Sequence, residues 1–368
     1  MKNLLKNIRE LILTARKAAV HSVDLIQVLT NFEIGRRIVE HEQGGAKRAQ
    51  YGEATLTQLA AALTDEFGKG FSLTNLKMMR KFYMTYRTEI GQAVSGFLPL
   101  LEKGQTLSDL LLKSQTPSGI SGLPPKPQPA SAPFILSWSH YVFLLGITDA
   151  GERSFYEIEA AGQGWSLREL KRQFNSGLYE RLAASRDQDG VRELAAQGQL
   201  ISKPEDLLKE PYVLEFLGLD EKAAYSESDL EFAIINKLEN FLLEMGKGFL
   251  FEARQKRFTF DEEHFFVDLV FYNRLLRCYV LIDLKIGKLT HQHLGQMQMY
   301  VNYFDRFVKH SDERPTIGII LCKKKHDALV EITLPQEANI HAREYQLYLP
   351  DKELLRQKLV EWSEEAER

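Results

Sequence analysis

The sequence contains little cysteine and no long apolar run. Two cysteines, Cys278 and Cys322, in 368 residues are too few for a zinc module or a secreted disulfide framework. The longest apolar stretch, around residues 317–322, has the length of a strand, whereas a bilayer span needs about 18–20 residues. The first residues are interrupted by charge and lack a signal-peptide core. We therefore expect a cytoplasmic protein without a membrane segment.

Net charge is also small. A formal charge of −3 gives no bulk attraction to nucleic acid, so any such binding depends on local basic patches. Apolar residues make up 44% of the chain and charged residues 26%, which excludes a wholly disordered or collagen-like chain. At about 150 residues per domain, a chain of this length would form two or three domains.

Proline is concentrated in one segment. Residues 113–133 hold six of the twelve prolines, which remove backbone donors and favour extended conformations. We interpret this segment as a linker between a helical domain at 1–112 and a second helical unit at 134–203. A weaker boundary follows, and residues 204–368 alternate short β-branched or aromatic runs with helical patterns. The predicted fold class is α+β overall, with an all-α N-terminal region followed by an α/β domain.

A short repeat occurs in the two helical units. Residues 68–77 and 162–171 both follow the pattern G-x-G-aromatic-S-L-x-x-L-K. The glycines would end one helix and Ser72 or Ser166 would cap the next, which gives each unit a helix-turn-helix connectivity. Seven side chains on the second helices could reach nucleic acid: Asn75, Lys77, Arg80, Lys81, Arg168, Lys171 and Arg172. The alternative is a helical hairpin whose basic residues form a solvated face.

Three charged residues interrupt two apolar runs in the C-terminal domain. Asp268 lies in the first run, and Asp283 and Lys285 lie in the second. A polar break near residues 273–274 predicts a β-hairpin between the runs. Burying a charge among apolar side chains costs free energy unless the charge is paired or bound to metal. The three charges therefore mark a candidate site.

The pleat of this hairpin would bring the three charges to one face if the loop has an even number of residues. Asp283 and Lys285 are two residues apart and share a face. Asp268 would lie opposite Tyr279 with a two-residue loop or opposite Leu281 with a four-residue loop, and the second case makes Asp283 its diagonal neighbour, within about 7–8 Å by Cα. Two carboxylates beside an ammonium group could hold a divalent cation and a polarised water. A loop of odd length or a bulge would break this arrangement.

This spacing resembles that of the PD-(D/E)XK nuclease superfamily. The predicted order of a helix, three strands, a helix and a strand is similar to the α-β-β-β-α-β core of restriction-endonuclease-like folds. The chain apart from its linker resembles the YhcG-like family, which joins a helical N-terminal domain to such a nuclease domain. The likeness rests on the stretches IGRRIVEHEQGG, EFGKGFSLTNLKMMRKFY, LSWSHY, YVLIDLKIGKL and GQMQMYVNY. Val267 replaces the superfamily's proline, and Asp283 replaces its commoner glutamate.

The resemblance implies a metal centre. Asp268 and Asp283, with the Leu284 carbonyl, would bind Mg²⁺ or Mn²⁺, which prefer oxygen ligands. Glu231, near the start of the preceding helix, matches an auxiliary acid of the superfamily. Lys285 would orient or deprotonate a water and stabilise charge on the phosphate.

The resemblance also implies a role for Gln296 and Tyr300. They form a Q-x-x-x-Y motif similar to that of RecB-like exonuclease domains, and their spacing places them on one helical face. They would position the substrate strand.

These features imply a metal-dependent nuclease that hydrolyses phosphodiester bonds, with DNA as the expected substrate. The helical N-terminal region would contact DNA or a partner. The alternative is a catalytically inactive nucleic-acid-binding or adaptor protein that uses the nuclease fold as a docking platform. A third interpretation is a nuclease subunit whose helical region forms homo-oligomers or binds defence or repair proteins.

Overall fold

The computed structural model of the chain describes residues 23–42, 49–102, 134–183, 188–219, 225–260, 262–335, 337–355 and 357. The chain divides into two compact units, Met1–Arg153 and Ser154–Arg368. This division falls inside the helical unit expected at 134–203, and the boundary expected near residue 204 stays a prediction. The linker expected at 113–133 lies outside the described residues.

The described elements of the first unit are helical. They are α1 at residues 23–42, α2 at Ala49–Phe67, α3 at Leu73–Glu102 and α4 at Trp138–Leu144. A short 3₁₀ turn follows Gly68, whose φ of 88° is a left-handed conformation that glycine adopts without strain. Ser72 Oγ then accepts a hydrogen bond from the Asn75 amide at 3.3 Å, which confirms the expected cap.

Aromatic packing holds the first unit together. Phe82 of α3 lies 5.8 Å from Phe32 of α1, 5.0 Å from Phe134 and 5.3 Å from Trp138, between ring centroids. The helices α1 and α3 also approach closely at Gly35. A Cβ at this position would overlap the backbone carbonyl of Met79.

The described helices of the second unit lie before and between its strands in the chain. Four come first: α5 at Ala150–Gln163, which crosses the division between the units, α6 at Leu167–Asn175, α7 at Leu178–Ala183 and α8 at Gln188–Gln197. Four more are interspersed with the strands: α9 at Glu227–Asn236, α10 at Leu238–Met245, α11 at His291–Tyr303 and α12 at Asp327–Thr333. The helix expected at 230–245 is thus two helices, because the backbone breaks at Lys237 with φ −119°.

The sheet of the second unit has six strands in the order β1-β6-β5-β4-β3-β2. The strands are β1 at Tyr212–Val213, β2 at Phe249–Phe260, β3 at Glu263–Asn273, β4 at Cys278–Lys288, β5 at Ile317–Lys324 and β6 at Ile340–Gln346. Neighbouring pairs are antiparallel among β2, β3 and β4, and parallel from β4 to β1. The α+β class and the order of helices, three strands, helix and strand are confirmed.

Both faces of the sheet are covered by apolar side chains. On one face, Leu269, Phe271 and Ile282 pack with Leu230 and Phe241 of α9 and α10. On the other face, the core contains Val270, Leu281 and Ile320 with Leu294 and Met297 of α11. Burial on both faces explains why β4 and β5 have almost continuous apolar sequences.

No helix among the described residues is long and apolar enough to cross a membrane.

Candidate active site

The β3–β4 hairpin brings Asp268 and Asp283 together. Four residues, 274–277, connect the strands, and the residue pairs run from Asn273–Cys278 to Leu269–Ile282. One further step in this register would set Asp268 opposite Asp283, and the two carboxylates do lie close enough for Asp268 to act on the pKa of Asp283. The partners expected for Asp268 are wrong, because the loop begins one residue later than the sequence suggested and shifts the register by two. In this register, the two residues are direct cross-strand neighbours and not the diagonal neighbours that the sequence predicted.

Lys285 completes a buried ion pair with Asp283. The two residues are 8% and 2% exposed, and Lys285 Nζ lies 2.9 Å from Asp283 Oδ2. The same ammonium group lies 3.4 Å from Glu227 Oε2 at the start of α9. Although Lys285 is near, the buried Asp283 Oδ2 lacks a well-oriented hydrogen-bond donor.

The charges of the site shift one another's protonation. Burial raises the pKa of Asp283 to about 7; the Lys285 ammonium works against this rise, and the Asp268 carboxylate adds to it. Burial lowers the pKa of Lys285, but the Asp283 carboxylate outweighs this and the pKa lies above its ordinary value. The site thus holds two neighbouring acids, one of them buried, and a bound cation would stabilise their charged forms.

The Asp268 carboxylate is held on both oxygens. The Leu284 amide donates to Asp268 Oδ2 at 2.9 Å, and the Gln255 side-chain amide donates to Oδ1 at 3.0 Å. Gln255 Nε2 also donates to Glu231 Oε2 at 2.7 Å, and Arg254 Nε donates to Glu231 Oε1. Glu231 is therefore linked to Asp268 through Gln255. Sequence reasoning missed Gln255 and Arg254, because no motif or spacing marks them in β2.

Gln296 and Tyr300 lie together on α11. The Gln296 amide donates a hydrogen bond to the Tyr300 hydroxyl. Burial raises the pKa of Tyr300, the Gln296 contact lowers it, and the charges of Asp283 and Asp268 raise it further, so the hydroxyl lies within the field of the site. The Tyr300 ring is 1% exposed and packs 5.5 Å from Phe258. Tyr300 therefore supports the half-buried Gln296, which is the more accessible of the two.

The residues of the site fit a hard divalent cation. No cluster of three or more His, Cys, Asp or Glu side chains suited to a metal occurs in the described part of the chain. The Asp268 and Asp283 carboxylates nevertheless lie close enough to interact and offer only oxygen donors, while the part expected of the Leu284 carbonyl stays a prediction. Mg²⁺ is commonly bound by one or two carboxylates together with waters and substrate phosphate.

Comparison with known proteins identifies the family. Residues 205–360 match the YhcG PDDEXK nuclease domain, and residues 7–181 match the DUF1016 N-terminal domain. The chain is 40% identical over 349 residues to "Putative nuclease YhcG" of Escherichia coli (strain K12), with 94% of this chain and 90% of the relative covered. The chain belongs to the YhcG family. The resemblance seen in the sequence is confirmed, and the C-terminal part is a nuclease domain of the PDDEXK type.

Two solved structures resemble about a third of this YhcG-family chain. A repair endonuclease from Pyrococcus abyssi has a TM-score of 0.23 and 17% identity, covering 35% of this chain and 50% of its own. A structure described as an EndoMS-dsDNA2 complex has a TM-score of 0.24 and 17% identity, covering 35% and 48%.

In this member of the YhcG family, the side chain of Asn75 has a structural role. Its side-chain amide donates to the Gly70 carbonyl, and its Oδ1 accepts a hydrogen bond from Trp138 Nε1 at 3.0 Å. Both ends of the side chain are thus used inside the first unit. This placement argues against the expected contact of Asn75 with nucleic acid.

The basic residues of α3 differ in their surroundings. Arg80 donates to Glu42 Oε2 at 2.8 Å, and Lys81 donates to the Leu145 carbonyl at 2.6 Å. Lys77 is exposed. Lys81 is exposed as well, so both lysines can be reached from solution.

Arg172 lies inside the second unit. Its side chain is 13% exposed and pairs with Glu215 at 2.8 Å and with the fully buried Glu244 at 3.3 Å. Arg181 pairs with the same Glu244 at 2.6 Å, and Lys209 donates to the Glu244 carbonyl. Arg172 therefore belongs to a buried ion-pair cluster, and this placement argues against the expected contact with nucleic acid.

Two basic residues of α6 face solvent. Arg168 and Lys171 are exposed, whereas Ser166 Oγ caps the helix by accepting from the Glu169 amide at 3.2 Å. The expected cap is confirmed. The Glu169 carboxylate accepts hydrogen bonds from Arg172 and Gln173.

Proposed function

We propose that this YhcG-family protein is a metal-dependent nuclease that hydrolyses phosphodiester bonds in DNA. The observation that carries the proposal is the meeting of Asp268, Asp283 and Lys285 on one face of the β3–β4 hairpin, with the Lys285 ammonium 2.9 Å from the Asp283 carboxylate. A buried acid that lies beside a second acid and pairs with one lysine is a costly arrangement that phosphodiester hydrolysis would explain.

Three groups would hold the metal: the Asp268 and Asp283 carboxylates and the Leu284 carbonyl. When bound, Mg²⁺ or Mn²⁺ supplies an activated water and neutralises charge on the phosphate. Glu231 would be an auxiliary acid of the metal site. The Gln255 amide joins its carboxylate to that of Asp268.

Lys285 would act on the water and on the phosphate. Its ammonium group can donate hydrogen bonds to an attacking water and to a non-bridging phosphate oxygen, which orients the water and stabilises the charge that develops. Its burial strengthens both interactions, because a low local dielectric weakens them less than water does.

The α11 pair would guide the substrate. Gln296 is half-buried and keeps its amide orientation through the hydrogen bond to Tyr300. An amide fixed in this way can hydrogen-bond a phosphate or sugar oxygen of a nucleic-acid strand next to the carboxylates.

Exposed basic residues of the helical region would contact DNA or a partner protein. The exposed members of the expected set are Lys77 and Lys81 in the first unit and Arg168 and Lys171 in the second. Contacts of this kind position nucleic acid through its phosphates and carry no sequence information. A second copy of the chain is the alternative occupant of these surfaces.

The test is a cleavage assay with the full chain. Supercoiled plasmid, linear duplex, single-stranded DNA and RNA are incubated with Mg²⁺ or Mn²⁺ or with EDTA, using wild type, Asp283→Ala and Lys285→Ala. We expect metal-dependent cutting of DNA by wild type and none by either variant. Equal cutting by all three proteins would place the activity elsewhere. DNA binding without cutting by wild type would favour the adaptor function.

A further inference from the structure

Gln255 occupies an irregular point in edge strand β2. The pairs Arg254–Leu269 and Lys256–Val267 set Gln255 opposite Asp268. Its φ of 48° lies in the left-handed region, which is uncommon for residues other than glycine, asparagine and aspartate. The strain therefore sits directly across from a proposed metal ligand.

The alternation of β3 is interrupted at the same level. Val267 and Val270 both pack on the α11 side of the sheet, whereas Leu269 and Phe271 pack on the opposite side. Regular alternation would put residues 267, 269 and 271 on one side. The irregular backbone of β2 at Gln255 and the break in the side-chain alternation of β3 at Asp268 therefore occur at the same position in the sheet.

The side chain of Gln255 joins two acids. Its amide nitrogen has two hydrogens, and it donates to Asp268 Oδ1 at 3.0 Å and to Glu231 Oε2 at 2.7 Å. Glu231 is anchored in turn by Arg254 and is 5% exposed. The Asp268 carboxylate is thereby tied to α9 as well as to β4.

We propose that Gln255 is a positioning residue that fixes the Asp268 carboxylate for metal binding, with Glu231 and Arg254 as its anchor. This inference rests on the proposed function. Carboxylates that ligate metals are themselves oriented by hydrogen bonds, and the loss of such a partner typically costs 10- to 100-fold in metal affinity or activity. Each Asp268 oxygen retains a lone pair beyond the hydrogen bond it accepts.

The strained backbone at Gln255 indicates that its side chain matters, because a position that only needed this backbone conformation would favour glycine. A glycine would adopt the left-handed conformation at no steric cost, so the strain of Gln255 has its compensation in the two hydrogen bonds of the amide. Gln255→Gly therefore keeps the backbone and removes only the bridge. Glu262 provides a matched control, because it also has a positive φ, 63°, and is exposed at the β2–β3 turn.

The test measures Mn²⁺ binding without any substrate. EDTA-treated full chains of wild type, Gln255→Gly, Glu262→Gly and Asp268→Asn are titrated with Mn²⁺ by calorimetry, and their melting temperatures are recorded without metal. We expect Gln255→Gly to melt at or above the wild-type temperature and to bind Mn²⁺ at least about 10-fold more weakly. Glu262→Gly should bind like wild type, and Asp268→Asn should lose the site.

A second variant covers the case in which Gln255→Gly does not fold. Asparagine also tolerates the left-handed region, and Gln255→Asn shortens the reach of the amide by one methylene, so we expect weaker Mn²⁺ binding here too. Wild-type Mn²⁺ affinity in a folded Gln255→Gly or Gln255→Asn chain would overturn the inference and leave the proposed function standing. A wild-type chain that neither binds Mn²⁺ nor cuts DNA would overturn both.

Discussion

Lys285 is the residue whose chemistry can be tested most simply. Lys285→Met removes the ammonium group and keeps an unbranched side chain of similar length, so that the packing of β4 is retained. We expect the rate of DNA cleavage to fall by about 100-fold or more, since the charge that stabilises the phosphate is lost. Initial rates of plasmid nicking measure the effect.

Lys288 on the same strand is the control for that experiment. It is exposed at the end of β4, and Lys288→Met makes the same chemical change outside the site. Circular dichroism checks that both variants fold. Similar losses in both variants, or none in Lys285→Met, would contradict the role of Lys285.

At the residue scale, the charged residues of the candidate site could be predicted from the sequence, whereas the residues that hold them in place could not. Asp268, Asp283 and Lys285 stand out because each interrupts an apolar run. Gln255 gives no such signal, because it lies in a polar edge strand and its left-handed backbone follows from pairing with β3. The surroundings of Arg172 are equally hidden, since its partner Glu244 is 72 residues away in the sequence.

At the element scale, the contact between α1 and α3 depends on one glycine. Gly35→Ala would push a Cβ into the carbonyl of Met79, and backbone cannot move aside as a flexible side chain can. We expect a loss of about 1–3 kcal/mol in the free energy of unfolding, typical of overpacking. Thermal and urea unfolding of the full chain measure it.

The matched control is Gly162→Ala in α5. A Cβ at Gly162 would meet nothing within 4 Å, so alanine there should leave stability unchanged or raise it, because alanine favours helix. Equal effects of the two substitutions would contradict the close approach of α1 and α3.

The cluster around Glu244 joins several elements of the second unit. Arg172 of α6 and Arg181 of α7 pair with this glutamate of α10, and it also accepts from the Val213 amide of β1 at 3.0 Å. Glu244→Gln leaves buried cations without a counter-charge, and we expect a loss of about 3–5 kcal/mol in unfolding free energy. Glu239→Gln, at an exposed position of the same helix, should cost little.

The same cluster predicts a dependence of stability on pH. Burial alone would raise the pKa of Glu244, but the charges of Arg181, Lys209 and Arg172 lower it to about 2. A carboxyl whose pKa is lower in the folded state stabilises the protein above its unfolded pKa and loses this contribution as the pH falls through its folded pKa. Urea unfolding between about pH 5 and about pH 3 should therefore show a shallower pH dependence for Glu244→Gln than for wild type. Parallel curves would contradict this.

The order of the elements was predictable where local signals are strong. The glycine turns and serine caps at residues 68–72 and 164–166 are visible as a repeat, and the apolar runs of β3, β4 and β5 reflect burial on both faces. The break at Lys237 and the loop at 274–277 were not predictable, since both depend on how α9, α10 and the hairpin pack on the sheet. A shift in the start of that loop was enough to alter the register of Asp268.

At the scale of the whole molecule, the small net charge means that DNA binding must come from local contacts. The affinity of the full chain for duplex DNA should fall as salt rises, in proportion to the number of phosphates contacted. Arg168→Ala should reduce the slope of log affinity against log salt by about 0.9 if Arg168 contacts one phosphate.

Arg192→Ala is the control for this measurement. Arg192 is exposed in α8 and is paired with Asp189, so the substitution removes the same charge from another helix. Fluorescence anisotropy at several salt concentrations would report both slopes. Equal slopes for Arg168→Ala and wild type would contradict a DNA contact by α6.

The family and the two-part character of the chain could be recognised from motifs, since the nuclease signature and the helical repeat are local. The division at residue 153 could not, because it falls within a continuous helical pattern and reflects packing. Basic residues along α3 and α6 showed the same limit: their sequence spacing is alike, but packing leaves some exposed and places Arg172 inside.

The central claim is that Asp283 serves a metal-dependent nuclease centre. The most direct measurement is the rate of plasmid nicking by the EDTA-treated full chain as Mg²⁺ is restored, for wild type, Asp283→Asn and Asp312→Asn. Asp312 is exposed and pairs with Arg277 away from the site, which makes it a matched control. We expect wild type and Asp312→Asn to regain activity together and Asp283→Asn to stay about 100-fold lower or more. Full recovery of Asp283→Asn would contradict the account.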